Sequence, residues 1–200
     1  MHVMNKLPPP GARASIRPWT TGDIPDVRRI GWETWKATYG RFIPEADLRA
    51  YHDEHYSAAA LERNFRRAST RGYVAVLDGK TAGYMIMSFD RESGRCHVAS
   101  IYVLPDCQGH GLGSMLMDEA FRAARGADFD RVWLGVMSEN TPTLAWYRGL
   151  GFTFVEESPF TMGKTTVNHL IGFRLLIPPV PPPDPPHASS DEKRPAHEST

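Results

Sequence analysis

Three glycines alternate in the stretch Val103-Leu-Pro-Asp-Cys-Gln-Gly109-His110-Gly111-Leu112-Gly113-Ser114. An apolar run ends at Leu104 and Pro105 stops it. Helical spacing then resumes at Leu112, Met115, Leu116, Ala120, Phe121 and Ala124. A glycine-rich turn from strand to helix lets a ligand approach the backbone closely. The first helical turn adds unpaired N–H groups and the positive end of the helix dipole. This is chemistry for a phosphate or pyrophosphate; glycines alone also fit a turn that binds nothing. A Walker loop would need Gly-Lys-Ser/Thr, which this loop lacks. A dinucleotide fingerprint would need glycine where Leu116 stands, although Asp128 and Asp130 lie at the distance of a ribose contact.

Further along, Asn140-Thr-Pro-Thr-Leu-Ala-Trp146-Tyr147-Arg-Gly-Leu-Gly151-Phe152 places a tyrosine on a short helix beside a tryptophan. His97 stands in a strand that leads to the glycine turn, and imidazole has the native pKa range of a proton acceptor. Glu33 stands between Trp32 and Trp35 and could line the mouth of an acceptor site. His52-Asp-Glu-His55 makes no recognised ligand set and reads as a solvated helix face, so no metal is expected. Cys107 lies beside the glycine turn without a base to orient it and reads as incidental.

Gln108-x-x-Gly111-x-Gly113 resembles the coenzyme A pyrophosphate motif of the GNAT N-acetyltransferase superfamily. The preceding Ile101-Tyr-Val103 and Pro105 resemble it too, and the Asn140–Phe152 segment is similar to its N-x-x-A-x-x-F-Y-x-x-x-G-F signature, with Thr143 and Trp146 as departures. A finer resemblance, in Trp35-x-x-x-Tyr39-Gly40-x-x-Ile43-Pro44, Trp133-Leu-Gly135-Val136 and Phe160-Thr-Met-Gly163, is to a bacterial subgroup that includes polyamine N-acetyltransferases.

The resemblance implies an α/β (α+β) fold. Its sheet is mixed and mostly antiparallel, of about six to seven strands, with helices on both faces and a splayed central strand pair. It implies acetyl-CoA as cosubstrate and a small-molecule or protein amine as acceptor, with a homodimer compatible. Pyrophosphate would be held by Gln108, Gly109, His110, Gly111, Leu112, Gly113 and Ser114. The backbone of Ile101, Tyr102 and Val103 would bind the pantetheine arm like an added strand, and Asn140 would contact the cofactor in the gap. Tyr147, protonated at neutral pH, would give its proton to the departing thiolate. His97, Glu33 or a water chain would relieve the amine of its proton. A non-catalytic acyl-CoA sensor of the same fold is the alternative.

The elements that must position these residues are legible in outline. Ala14–Arg17 reads as a strand and Ile24–Ala37 as a helix, with Thr21-Gly-Asp23 offering caps. About Glu45–Arg67 reads as a second helical region. Tyr73–Leu77, Asp78-Gly79 and Ala82–Phe89 form a hairpin signal. His97–Leu104 and Arg131–Met137 are strands. Thr141-Pro142 opens a helix with threonine as N-cap, and Phe152–Val155 and about His169–Leu176 complete the sheet.

The 200 residues carry 23 Lys+Arg against 23 Asp+Glu, a balance that argues against a nucleic-acid partner. Two cysteines exclude a disulfide scaffold and point to a reduced, cytoplasmic setting. No window approaches 18 consecutive apolar residues, so no membrane span is expected. Eight of the 17 prolines fall between Pro178 and Pro195, where little is apolar. The reading is a flexible 1–12, one domain over 13–176 and a disordered proline-rich tail over 177–200. Deleting Pro178–Thr200 should therefore leave melting temperature and acetyl-CoA affinity nearly unchanged. A loss of several degrees in a thermal melt would show that the tail docks on the domain.

Overall fold

The computed structural model describes residues 13–176, so the expectations for 1–12 and 177–200 lie outside the described residues. Seven strands run in the order β1-β2-β3-β4-β5-β7-β6. They are β1 (Ala14–Pro18), β2 (Thr70–Leu77), β3 (Lys80–Asp90), β4 (Arg95–Val103), β5 (Arg131–Met137), β6 (Thr153–Met162) and β7 (Thr165–Leu175). Every neighbouring pair is antiparallel except β4–β5, which is parallel. Helices α1 (Ile24–Tyr39), α2 (Glu45–His55) and α3 (Ala58–Arg66) cover one face; α4 (Leu112–Arg125) and α5 (Thr141–Gly149) belong to the core on the other. The expected mixed, mostly antiparallel sheet with helices on both faces is what forms. Among the described residues no helix is long and apolar enough to cross a membrane.

Strand alternation sorts the two cores. On β5, Val132, Leu134 and Val136 face α4, where Leu116, Met117, Ala120, Phe121 and Ala124 bury the apolar stripe read from the sequence. The other face packs Val27, Ile30 and Trp35 of α1 and Leu48 of α2 against Val74, Tyr84 and Ile86 of the sheet. The β2–β3 turn has the geometry that Asp-Gly demands: Asp78 and Gly79 take φ of 48° and 80°.

Three local expectations are corrected. The helical region from Glu45 breaks at Tyr56, because tertiary bonds turn the chain there. Arg28 Nε donates to the Tyr56 carbonyl at 2.8 Å, the Tyr56 hydroxyl bonds Ser100 Oγ, and Ser57 Oγ caps α3 by accepting from the Ala60 amide. The last two strands are joined by a hairpin whose turn holds Gly163 and Lys164, so both are longer than periodicity suggested. A Cβ on Gly163 would lie 2.5 Å from Asp47 Oδ1, and this Asp47 carboxylate accepts from the Lys164 amide and Thr165 Oγ1 at 3.0 and 2.7 Å. The hairpin tip is thus pinned to α2. Finally, His52 is not on a solvated face. It is buried among Trp32, Trp35 and Tyr56, and its Nε2–H donates to the Arg28 carbonyl at 3.0 Å.

The entry to α1 is held by one ion pair. The buried Asp23 carboxylate accepts from Arg17 at 2.7 and 2.8 Å and from the Thr20 amide and hydroxyl at 2.7 and 2.9 Å. The Arg17 guanidinium holds this carboxyl down at about 2. A depressed carboxyl stabilises the fold above its unfolded pKa near 3.8, and that stabilisation is lost as pH falls through about 2. A shift of this size corresponds to about 2 kcal/mol; solvent screening of Arg17, whose side chain is 44% exposed, reduces it to about 1. Asp23→Asn should cost about 1–2 kcal/mol at pH 7 and flatten the loss of stability between pH 4 and pH 2, measured by denaturant titration.

Candidate active site

The site begins where β4 and β5 part. Their ladder has three pairs, Cys96↔Val132, His97↔Trp133 and Val98↔Leu134. Beyond them β4 continues to Val103 and β5 to Met137 without pairing to each other. On its other edge β4 stays bonded to β3, with a register shift between Ile86 and Met87: Ile86 opposes Ser100, Met87 opposes Val98, and Ala99 is the extra residue. The bulge turns the strand away from β5. The splayed pair expected from the sequence is therefore present, and β4 presents an unpaired backbone edge from Ala99 onward.

A cavity of about 540 Å³ fills the fork. One end is the glycine turn. Pro105–Cys107 form a short 3-10 turn, Gly109 has φ 80°, and Gly111 caps α4 in the left-handed region at φ 77°. A side chain at either position would be strained, so glycine is required to bring the α4 amides to the cavity. Gly113 is small for another reason: a Cβ there would sit 3.3 Å from the Trp146 ring. Gln108 Nε2 donates to the Val103 carbonyl at 3.2 Å and ties the turn to the end of β4.

Of the expected cofactor residues, Ile101, Tyr102, Val103, Gln108, Gly109, Gly111, Leu112, Gly113, Ser114, Asn140 and Tyr147 all line this cavity. His110 does not: its Nδ1–H donates to the Cys107 and Gln108 carbonyls at 3.2 and 3.1 Å, folding the ring back on the turn. Asn140, rather than Thr141, is the N-cap residue of α5. Cys107 lines the cavity.

Tyr147 is buried between Trp146 and Phe152, at ring distances of 4.7 and 5.3 Å. It belongs to the α4 side of the sheet, yet burial and then the Tyr102 phenol, from the α1 side, push its hydroxyl well above the ordinary tyrosine value. The opened ladder lets groups from the two faces meet. Burial raises Tyr39 to about 12 as well, and its hydroxyl lies 3.3 Å from that of Tyr102. Every phenol here keeps its proton at neutral pH.

His97 lines the cavity, and burial, with His169 and Arg95 adding, pushes it down to about 4. It is a neutral ring at pH 7. Glu33 is placed elsewhere: its side chain is 48% exposed on the outer face of α1, paired with Arg29 at 3.3 Å, and is not on the cavity wall. The expectation that it lines the acceptor mouth is not met, because Trp35, two positions on, takes the inward direction.

The far end of the cavity is aromatic. Trp35 and Tyr39 of α1, Tyr51 of α2, Tyr56, Tyr102 of β4 and Phe160 of β6 line it, together with His169. Sequence reading quoted Trp35, Tyr39 and Phe160 as motif residues without a role. It missed His169, whose place depends on strand register: it pairs with Met137 of β5 and packs 5.0 Å from Phe160.

Residues 26–152 match the family model of the Acetyltransferase (GNAT) family. Streptothricin acetyltransferase of Streptomyces lavendulae is 36% identical over 88 residues, which are 44% of this chain and 47% of that protein. The matched stretch thus spans about half the length of that relative. The PaiA N-acetyltransferase of Thermoplasma acidophilum, solved with coenzyme A, superposes at a TM-score of 0.73 with 18% identity, covering 82% of this chain and 99% of that one. Nourseothricin acetyltransferase superposes at 0.51 with 30% identity, covering 55% and 66%. A family match over more than half of the chain, on a sheet forked at the position the motifs flank, makes the protein a member of the GNAT acetyltransferase family.

Proposed function

We propose that the protein is an N-acetyltransferase that carries the acetyl group of acetyl-CoA to a primary amine by direct attack in a ternary complex. The observation that carries this reading is the continuity of one cavity: it runs from the glycine turn, through the opened β4–β5 ladder past Tyr147, to the aromatic end between α1 and β6. Each stretch suits one part of the reaction. Gly109 to Ser114, with Gln108, suit a pyrophosphate at the α4 N-terminus. The free edge of β4 at Ile101–Val103 suits the two amides of a pantetheine arm, which would add as a short strand. Asn140 flanks the opening. A backbone N–H on the same edge would polarise the thioester carbonyl and hold the developing oxyanion.

Tyr147 serves as general acid. Its raised pKa keeps it protonated but weakens it as a donor toward an ordinary thiolate. The same burial acts on sulfur: the buried Cys96 thiol is pushed up to about 12. A thiolate leaving inside the dry fork would be a correspondingly stronger base, so proton transfer from the phenol remains matched. The protein is read as cytoplasmic, consistent with its free Cys96 and Cys107. Streptothricin, the substrate named for the 36% identical relative, heads the acceptor amines to test.

Two variants test this reading. Gly111→Asp should abolish acetyl-CoA binding in calorimetry, since it adds strain at a left-handed φ and a charge that repels pyrophosphate; unchanged affinity in a folded variant would remove the turn from the site. Tyr147→Phe keeps the ring and its packing. Acetyl-CoA affinity should hold while kcat falls by roughly 10²–10⁴. The deficit should shrink with an acetyl donor whose thiol is more acidic. Full activity would mean that water protonates the thiolate. Tight acetyl-CoA binding without turnover of any amine would favour a sensor.

A further inference from the structure

We infer that His169 is the group that takes the proton from the acceptor amine as acetyl transfer proceeds. The inference rests on the acetyltransferase reading above and adds a catalytic residue to it.

Position is the first argument. The β4–β5 ladder closes at Val98↔Leu134, so Gly135 is the first residue of β5 beyond the apex of the fork. The His169 ring is seated on Gly135: a Cβ there would lie 2.2 Å from Cε1 and 2.8 Å from each ring nitrogen. Only glycine leaves this space. The imidazole thus stands at the point where the sheet opens, on the wall that also carries Phe160 and Met162. An amine moving from the aromatic end toward a thioester in the fork passes this ring.

Composition of the wall is the second. Apart from Cys107 and the tyrosine phenols, the titratable side chains lining the cavity are His97 and His169; the described lining includes no carboxylate, lysine or arginine. Facing His169 are Gly135 of β5, Phe160 of β6 and, across the apex, His97 of β4 with Arg95 beyond it. Helices α1 and α2 present Thr34, Thr38, Trp35, Tyr39 and Tyr51 to the same space. The phenols are held protonated by burial, which leaves the two imidazoles as proton acceptors.

Geometry then separates the two. His97 lies inside the closed part of the ladder, opposite Trp133. His169 lies outside it, with its ring seated on Gly135, and the Gly135 backbone beside the ring favours its protonated form. Burial lowers both rings below the ordinary imidazole value, and in His169 the Gly135 backbone opposes it.

The step balances as follows. The neutral amine attacks the thioester carbon, a C–N bond forms and the carbonyl oxygen takes the electron pair. The adduct nitrogen, now cationic and far more acidic than a free ammonium, passes its proton to His169. The C–S bond breaks as the oxyanion collapses, and Tyr147 protonates the thiolate. Imidazolium and tyrosinate then return to neutrality through water, leaving amide and free coenzyme thiol.

The test uses the full chain, acetyl-CoA and the best acceptor among streptothricin, spermidine, benzylamine and an alanine-terminated peptide, read by thiol release. His169→Gln should lower kcat by roughly 10²–10⁴ with acetyl-CoA affinity unchanged by calorimetry. The deficit should shrink with a fluorinated, less basic analogue of the acceptor, whose adduct needs less help to lose its proton. It should not shrink with a more acidic thiol donor, the reverse of Tyr147→Phe. A deficit that ignores amine basicity, or no deficit, overturns the inference and leaves the acetyltransferase reading standing. No turnover of any acceptor by the unaltered chain overturns both. If His169→Gln does not fold, the unaltered enzyme decides. Its kcat must fall on the acid side with the pKa at which the His169 ring titrates by NMR, and the absence of that limb overturns the inference.

Discussion

The structure depends on a parallel ladder that stops after three pairs. Parallel neighbours in a sheet ordinarily stay bonded, because each unpaired N–H or C=O buried away from water costs about 1–3 kcal/mol. Here β4 and β5 are both anchored on their outer edges, β4 by β3 and β5 by β7, and each can leave the other without fraying. The extra residue Ala99 supplies the change of direction. The opening would be unfavourable if it stayed dry and empty of partners. A ligand with amides of its own satisfies the exposed edge, which makes the fork a binding site by the same logic that makes it a defect. The glycine turn is then positioned by necessity. It connects the end of β4 to α4, so the α4 N-terminus arrives at the mouth of the gap.

Parting the strands also removes the insulation between the two faces of the sheet. Tyr147 packs with the α4 core and Tyr39 with the α1 core, yet Tyr147 adds to the upward shift of Tyr39, and Tyr102 to that of Tyr147. Desolvation is the dominant influence on nearly every titratable group there. It raises phenols and lowers imidazoles. Both shifts favour the uncharged form, so the cavity wall holds protonated phenols and neutral imidazoles at neutral pH. A carboxylate in this wall would instead stabilise the acceptor as an unreactive ammonium.

Chemistry that depends on backbone conformation was legible in the sequence. Glycine at 109, 111 and 113 is read directly as close approach of the backbone to a ligand, and a proline after an apolar run as the end of a strand. The strand Arg131–Met137 and the helix from Leu112 follow from periodicity alone, because each has one face committed to a core. What sequence could not show depends on register. Whether His169 faces the cavity or solvent is decided by its pairing with Met137, and a slip of one residue would reverse it. Glu33 failed in the converse way. A tryptophan on either side suggested a cavity rim, but of the two only Trp35 lines the cavity, and Glu33 is left to pair with Arg29. His52 looked solvated because its neighbours Asp53 and Glu54 are polar; its burial comes from packing against Trp32 and Trp35 of the preceding helix, α1.

The wall formed by α1 and α2 is therefore placed by polar contacts on its edges as well as by its apolar packing on the sheet. Asp47 fixes α2 to the β6–β7 hairpin, His52 fixes it to the Arg28 carbonyl of α1, and Arg28 and Ser100 hold Tyr56 from two sides. Trp35, Tyr39 and Tyr51 of these helices, with Phe160 of β6, turn their rings to the cavity. Flat rings held at fixed spacing can accept an apolar body or a cation over their faces with little loss of side-chain entropy. The division is physical. In the proposed reaction, strand register and the fork would serve the donor, which has a fixed shape and many hydrogen-bonding groups. Helix edges and aromatic faces would serve the proposed acceptor, for which shape and neutrality of the wall matter more than any single bond.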